Sequence, residues 1–149
     1  MSNPMEIKPF KILLVEDNPG DVRLILEALK ESKVFASITV ARDGIEAMNI
    51  LYRRPPHEEE PRPDLILLDL NLPRMDGREV LEIVKQSPEL KYIPVVVLTT
   101  SSAEQDILRA YDLHANCYIK KPVDLEQFIS VVQSIDDFWL TIVQLPHKP

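Results

Sequence analysis

Short apolar runs that alternate with longer helical patterns are the feature that most limits how this chain can fold. The clearest runs, at residues 12–15, 65–68 and 95–98, consist wholly of Val, Ile and Leu. Runs of this kind are typical of strands in parallel sheets, because helices cover both faces of such a sheet. The alternation therefore predicts an α/β fold with a parallel sheet between two helical layers.

The remaining patterns complete a set of five strands and five helices. Asn18 is predicted to cap the first helix, with Pro19 at its first position, and its apolar face is Val22, Ile25, Leu26 and Leu29. The strands are predicted at 11–15, 37–41, 65–68, 94–98 and 117–119, and the other helices at 44–51, 77–86, 103–113 and from Asp124 onward. Right-handed crossovers then favour a flavodoxin-like, doubly wound, three-layer α/β/α fold with strand order 2-1-3-4-5.

A proline-rich segment at residues 53–63 interrupts this alternation. Its prolines surround Glu58, Glu59 and Glu60, and proline disfavours both helices and central strands. We interpret it as a surface loop, since strand and helix alternate again directly after it. The 149 residues are expected to form a single domain over 1–149, with a core at about 10–135 and a C-terminal extension at 136–149.

The composition argues against several classes of function. The net charge is -7, without a run of Lys and Arg, and nucleic-acid binding needs a basic surface. Cys117 is the only cysteine, so it is expected to be a small buried residue. Residues 1–10 lack the apolar centre of a secretory signal, and no apolar stretch approaches the roughly 18 residues of a membrane span. We expect a cytoplasmic protein that binds neither nucleic acid nor membrane.

Polar residues follow the strands at their carboxyl ends. They are Glu16 and Asp17 after the first strand, Asp69 after the third, Thr99 after the fourth, and Lys120 and Lys121 after the fifth. In a doubly wound sheet these ends lie along one edge, where ligands bind, and the first and third strands are neighbours. The sequence therefore predicts that Glu16, Asp17 and Asp69 converge.

Three converging carboxylates require a positive partner. Two charges about 4 Å apart interact by about 4 kcal/mol even at an effective dielectric constant of 20. Mg²⁺ is the expected cofactor, because it prefers oxygen ligands and works with lysine and hydroxyl groups in phosphoryl transfer. Each residue also has an ordinary structural explanation, such as a loop cap for Asp69 or a solvated side chain for Lys121. Their shared position at one edge of the sheet favours a common site.

Four ordered motifs give the chain a family resemblance. ILLVEDNPGD, DLILLDLNLPRMDG, IPVVVLTT and YIKKP resemble, in order and spacing, the receiver domains of two-component response regulators. The resemblance covers the chain from residue 11 to about residue 135. It implies a phosphoacceptor signalling protein that catalyses its own phosphorylation and dephosphorylation, and not an enzyme with a turnover substrate.

The resemblance also implies a role for each residue of the site. Asp69 is the implied phosphoacceptor. The implied metal ligands are Asp17, Asp69, the backbone carbonyl of Asn71 and, through a water molecule, Glu16. The implied phosphoryl-stabilising and switch residues are Thr99, Lys121 and Tyr118. Lys121 is preferred to Lys120 because the family's lysine directly precedes a proline.

Within this family, the chain is similar to the small regulators paired with cyanobacterial and other bacterial phytochromes. The similarity is carried by VEDNPGDVRL, the proline-rich segment, DLHANCYI and DDFWLTIVQLP. It implies a phytochrome-type sensor histidine kinase as partner and no DNA-binding domain. It also implies a homodimer through the fourth helix, fifth strand, fifth helix and C-terminal extension, with Phe138, Trp139 and Ile142 in the interface. Alternatively, these apolar residues close over their own domain.

Three other functions are alternatives at this point. A Mg²⁺-dependent phosphohydrolase of the haloacid dehalogenase type has a D-x-D motif after its first strand, where this chain has Glu16-Asp17-Asn18. A flavodoxin-like or nucleotide-binding module needs a glycine-rich or Ser/Thr-rich phosphate loop there, and the chain has only 3 glycines. A receiver that binds partners independently of phosphorylation is the third alternative, although every key residue is present.

Overall fold

The computed structural model describes residues 10–31, 36–99, 115, 117–121, 123, 124, 126, 127 and 130, without the side chains of Thr99 and Cys117. These residues contain a five-stranded sheet in the order β2-β1-β3-β4-β5, and every neighbouring pair is parallel. The strands are β1 (Phe10–Val15), β2 (Ala36–Ala41), β3 (Leu65–Asp69), β4 (Val95–Thr99) and β5 (Cys117–Lys120). The predicted fold class and strand order are therefore confirmed.

The described part of the chain contains three helices: α1 (Pro19–Glu31), α2 (Gly44–Leu51) and α3 (Gly77–Gln86). The predicted helix at 103–113 and most of the predicted last helix lie outside the described residues, so the expected total of five helices stays a prediction. No helix in these described ranges combines the length and the apolar character needed to cross a membrane.

Each of these three described helices begins directly after a residue whose side chain caps it. Asn18 Oδ1 accepts a hydrogen bond from the backbone N–H of Asp21 at 3.0 Å, and Asp43 Oδ1 accepts one from Glu46 at 2.8 Å. Asp76 Oδ1 accepts a bond from the Arg78 N–H at 2.6 Å. These bonds satisfy amide groups that the first turn of a helix leaves without partners. The caps determine where two of these helices begin: α1 starts shortly after β1, and α3 starts after the loop that follows β3.

Alternate residues of the strands pack on opposite faces of the sheet. Leu13 and Ile66 belong to a core formed with α2 and α3, whereas Ile12 and Leu67 belong to a core formed with α1. Every residue of β3 is buried, which agrees with its unbroken apolar sequence. The sheet is thus covered on both faces.

The structure corrects part of the predicted apolar face of α1. Ile25 and Leu29 are buried as expected, but Leu26 is 37% exposed. Leu26 lines a shallow groove of about 270 Å³ with Val22 and Arg42 at the margin of the sheet. A three-to-four-residue repeat predicts which side of a helix is apolar, but not how much of that side the neighbouring strand covers.

The proline-rich segment is a surface loop, as predicted. Residues 53–56 are exposed, while Arg62 ties the end of the loop to the body of the protein. Its guanidinium donates to the backbone oxygen of Leu51 at 3.3 Å and to Glu89 Oε2 at 2.7 Å. The loop connects α2 to β3, so it leads into the amino end of β3, whereas Asp69 lies at the carboxyl end of that strand.

Candidate phosphoacceptor site

The carboxyl edge of the sheet brings together acidic residues that are distant in the sequence. Glu16 and Asp17 follow β1, and Asp69 ends β3, which pairs directly with β1. One carboxylate oxygen from each of the three residues lies within 4.8 Å of the others. The predicted convergence of these residues is therefore present in the structure.

The three carboxylates differ in their exposure to water. Glu16 is 0% exposed and Asp69 is 3% exposed, whereas Asp17 is exposed. Burying a carboxylate costs free energy unless a positive charge or hydrogen bonds compensate for lost hydration. The two buried groups therefore need partners close by.

Lys121 supplies the positive charge. Its Nζ lies 2.7 Å from Glu16 Oε1, 3.0 Å from Asp21 Oδ2 and 3.1 Å from Asp69 Oδ2. Burial by itself lowers the pKa of an ammonium group, but the interactions of Lys121 with these three carboxylates raise its pKa above its usual value. Lys121 therefore stays charged. The neighbouring Lys120 is exposed.

Glu16 has the most strongly perturbed carboxyl group of the site. Burial is the largest cause that raises its pKa, the nearby Asp69 also raises it, and the bond to Lys121 lowers it, with a net pKa of about 7. Glu16 Oε2 accepts a weak hydrogen bond from the backbone N–H of Asn18 at 3.2 Å. Oε1 has only the ion pair with Lys121, without a well-directed hydrogen bond from any described residue. A buried oxygen of this kind, beside two further carboxylates, fits a hard divalent cation.

Both oxygens of Asp69 have partners. Oδ1 accepts a hydrogen bond from the backbone N–H of Asn71 at 3.1 Å, and Oδ2 accepts one from Lys121 Nζ at 3.1 Å. Below this residue, α3 begins so close to β3 that a Cβ on Gly77 would overlap the Asp69 backbone oxygen and lie 2.6 Å from Leu70 Cα. The position of the Asp69 carboxylate is therefore set by its own backbone, by the following loop and by Lys121.

The loop after Asp69 is also attached to α2. Arg74 has a φ of 68°, and its guanidinium donates to Asp43 Oδ2 at 3.1 Å. A Cβ on Gly44 would overlap the backbone oxygen of Met75, so only glycine allows this close approach. The loop that carries Asn71 is thus held from the α2 side as well as from α3.

The other predicted site residues are described less completely. Thr99 ends β4 opposite Lys120 of β5, but its side chain is outside the described part. Tyr118 is partly buried and packs against the core on the α2 and α3 face. Phe138, Trp139 and Ile142 lie outside the described residues.

Asp21 is a member of the site that our sequence analysis missed. It lies in the first turn of α1 and bonds to Lys121, 100 positions further along the chain. The available signal was its place in the VEDNPGD motif, three residues after the Asn18 cap. That spacing places Asp21 in the first helical turn but does not indicate which strand end it faces.

Comparison with known proteins agrees with this geometry. Residues 12–133 match the response regulator receiver domain. The chain belongs to this family. The predicted family and the signalling class of function are therefore confirmed, and receivers of this kind are signalling proteins and not classical enzymes.

Individual relatives place this receiver close to phytochrome response regulators. It is 51% identical over 145 residues to response regulator Rcp1 of Synechocystis sp., covering 97% of this chain and 96% of that protein. It matches the phosphorylated cyanobacterial phytochrome response regulator RcpA with 53% identity and a TM-score of 0.75, over 93% of this chain and 99% of that one. The Mn²⁺-bound form of Rcp1 matches with 52% identity and a TM-score of 0.73, over the same 93% and 99%.

Proposed function

We propose that this receiver accepts a phosphoryl group on Asp69 from a sensor histidine kinase and then changes its conformation and partner binding. The observation that carries this proposal is the environment of Asp69. Its carboxylate is buried at the end of β3, bonded to the Lys121 ammonium, and within 4.8 Å of carboxylate oxygens of Glu16 and Asp17.

Asp69 acts as the nucleophile in this proposal. One carboxylate oxygen bonds to phosphorus while the P–N bond to the kinase imidazole breaks, and the electron pair of that bond leaves with the imidazole nitrogen. Lys121 stabilises the negative charge on the phosphoryl oxygens. Because the receiver provides these groups itself, we infer that it catalyses its own phosphorylation and the later hydrolysis.

The expected cofactor is Mg²⁺, held by Asp17, Asp69, the backbone carbonyl of Asn71 and, through a water molecule, Glu16. It would neutralise the carboxylates and so reduce their repulsion of an incoming phosphoryl group. Two observations support this assignment: the buried Oε1 of Glu16, which has an ion pair but no well-directed hydrogen bond among the described residues, and the existence of a Mn²⁺-bound form of the relative Rcp1.

Thr99 and Tyr118 are the proposed switch residues. Thr99 would donate its hydroxyl hydrogen to a phosphoryl oxygen, and Tyr118 would turn toward the space that the moving loop leaves. The change is a shift between two packings, which phosphorylation biases. Tyr118 suits this role because it borders the core without being fully enclosed by it.

Similarity to Rcp1 and RcpA supports a phytochrome-type kinase as the phosphoryl donor, and a cytoplasmic location follows from such a donor. We further propose a single receiver domain that forms a homodimer through its fourth helix, fifth strand, fifth helix and C-terminal extension. The acidic charge of -7 argues against direct nucleic-acid binding.

Phosphorylation with a small donor tests the central proposal. The protein is incubated with acetyl phosphate and Mg²⁺, and its intact mass is measured. We expect one added phosphoryl group, absent from Asp69→Asn and from a sample with excess EDTA. Asp64→Asn, which removes a carboxylate at the opposite edge of the sheet, is the matched control and should be modified normally. An unmodified wild type, or a modified Asp69→Asn, would refute the proposal.

A further inference from the structure

We propose that Asp21 is the exchangeable partner of Lys121: it holds the lysine in the unphosphorylated receiver and releases it to the phosphoryl group. The inference rests on the proposed phosphorylation of Asp69. It assigns a positioning role to a residue outside the group of carboxylates that face the expected metal.

Lys121 already has three carboxylate partners in the unphosphorylated receiver. An ammonium group carries three N–H donors, and Nζ lies within 3.1 Å of an oxygen from each of Glu16, Asp21 and Asp69. The contacts with Asp21 and Asp69 are hydrogen bonds and the contact with Glu16 is an ion pair, so carboxylates already surround the ammonium group. To bond to a phosphoryl oxygen, Lys121 has to give up one of these partners.

The three partners of Lys121 differ in their exposure to water. The side chains of Glu16 and Asp69 are 0% and 4% exposed, whereas the side chain of Asp21 is 31% exposed. A carboxylate that loses its ion pair needs water instead, and removing the partner of a buried charge is costly. Asp21 is thus the partner that Lys121 can leave at the least cost.

The position of Asp21 in the fold does not depend on Lys121. Its backbone N–H donates to Asn18 Oδ1 at 3.0 Å, and Ile25, one helical turn later, is buried. The first turn of a helix also stabilises a negative charge. The Asp21 carboxylate can therefore stay in place, hydrated, after Lys121 has moved to the phosphoryl group.

The expected consequence is that removing the Asp21 carboxylate favours phosphorylation. In the reaction with acetyl phosphate, an Asp69 oxygen bonds to phosphorus while the bond to the acetyl oxygen breaks, and acetate leaves with the electron pair. Asp21→Asn removes a competitor for Lys121 and one negative charge near the entering group. At saturating Mg²⁺ we expect the rate constant, followed by intact mass, to rise about three- to tenfold.

Matched variants separate this effect from a general change in charge. Glu27→Gln removes a carboxylate from the same helix, where Glu27 is exposed and paired only weakly with Arg23 at 3.4 Å, and it should react like the wild type. Asp21→Glu keeps the competing charge and should restore a rate within about twofold of the wild type. Asp21→Ser provides a second neutral variant, and thermal unfolding reports whether each variant is folded.

The outcomes distinguish this inference from the proposed function. If the wild type gains no phosphoryl group, the proposed function fails, and the inference fails with it. If the wild type is modified but Asp21→Asn reacts at the same rate or more slowly, only the inference is overturned. Equal acceleration by Glu27→Gln would also overturn it, as would unfolding of both neutral variants, because an exchangeable partner cannot be essential to the fold.

Discussion

At the scale of single residues, neighbouring acidic side chains have very different environments. Glu16 and Asp17 are adjacent in the sequence, yet Glu16 is fully buried while Asp17 is exposed. Successive side chains point in opposite directions as the chain leaves a strand, so one faces Lys121 and the other faces solvent. This division leaves Asp17 accessible to a metal ion and gives Glu16 the strongly raised pKa.

The raised pKa of Glu16 predicts a pH-dependent stability. Between pH 4.5 and about 7, the unfolded state loses the Glu16 proton while the folded state keeps it, so the contribution of this group to folding stability decreases as pH rises. In metal-free protein, the loss should be about 2 to 3 kcal/mol. The test is urea unfolding of the wild type and of Glu16→Gln at about pH 5 and about pH 7.5. The contribution of Glu16 is the difference between the two proteins in how much the free energy of unfolding changes between these pH values. An equal change in both proteins would contradict the prediction.

The two adjacent lysines provide a second prediction. Lys121→Met leaves Glu16, Asp21 and Asp69 facing one another without a positive charge, so metal-free protein should lose about 2 to 4 kcal/mol of stability at neutral pH. Lys120→Met changes an exposed side chain and should alter stability by less than about 0.5 kcal/mol. Chemical denaturation with EDTA present measures both variants. Equal effects would mean that the Lys121 ion pairs contribute no specific stabilisation.

At the scale of secondary-structure elements, the connection from β3 to α3 determines where Asp69 lies. The connection is short, and α3 begins against the end of the strand that it follows, with Gly77 at the point of contact. On its other side, the loop is attached to α2 by Arg74 and Asp43. Asp69 therefore sits on a strand end that two helices restrain.

The contact at Gly77 predicts that two glycines differ in how well they tolerate replacement by alanine. Gly77→Ala places a methyl group against the Asp69 and Leu70 backbone, so we expect a loss of about 1 to 3 kcal/mol and slower phosphorylation of Asp69. Gly20→Ala, in α1, would meet only Asn18 Oδ1, at 3.2 Å, and should be nearly neutral. Thermal unfolding and the acetyl phosphate reaction measure both variants. Normal phosphorylation of a folded Gly77→Ala would show that this contact does not position the carboxylate.

At the scale of the whole molecule, the parallel sheet concentrates polar chemistry at one edge. Cores on both faces exclude water from the strands, while the carboxyl ends of β1, β3 and β5 meet around Lys121. The other charged side chains and the proline-rich loop lie elsewhere on the surface.

The C-terminal extension leads to a prediction about assembly. Residues 136–149 include Phe138, Trp139, Leu140, Ile142, Val143 and Leu145, an apolar content that favours burial against another surface. We expect the mass from light scattering to rise toward that of a dimer as protein concentration increases. Trp139→Ala should weaken this association, whereas Tyr92→Ala, which changes an exposed aromatic residue outside the extension, should not. A monomer at every concentration, phosphorylated or not, would exclude the dimer.

Local patterns predicted the elements of this fold well because each of them reflects chemistry that is local in the sequence. The apolar runs predicted the strands to within one residue at each end, and Asn18-Pro19 predicted the start of α1. The exposure of Leu26 was not predicted, because it depends on how far the sheet extends under the helix. The roles of Thr99 and Tyr118 and the dimer remain predictions.

The sequence by itself determined the parallel sheet and the edge at which Glu16, Asp17 and Asp69 meet, because apolar periodicity and strand order follow from local patterns and from chain handedness. Only the tertiary structure decided which carboxylates are buried, and that Lys121 bonds to Asp21 as well as to Glu16 and Asp69. Those properties depend on distances between groups up to 100 positions apart and on how much water the packing excludes, and no local pattern records either quantity.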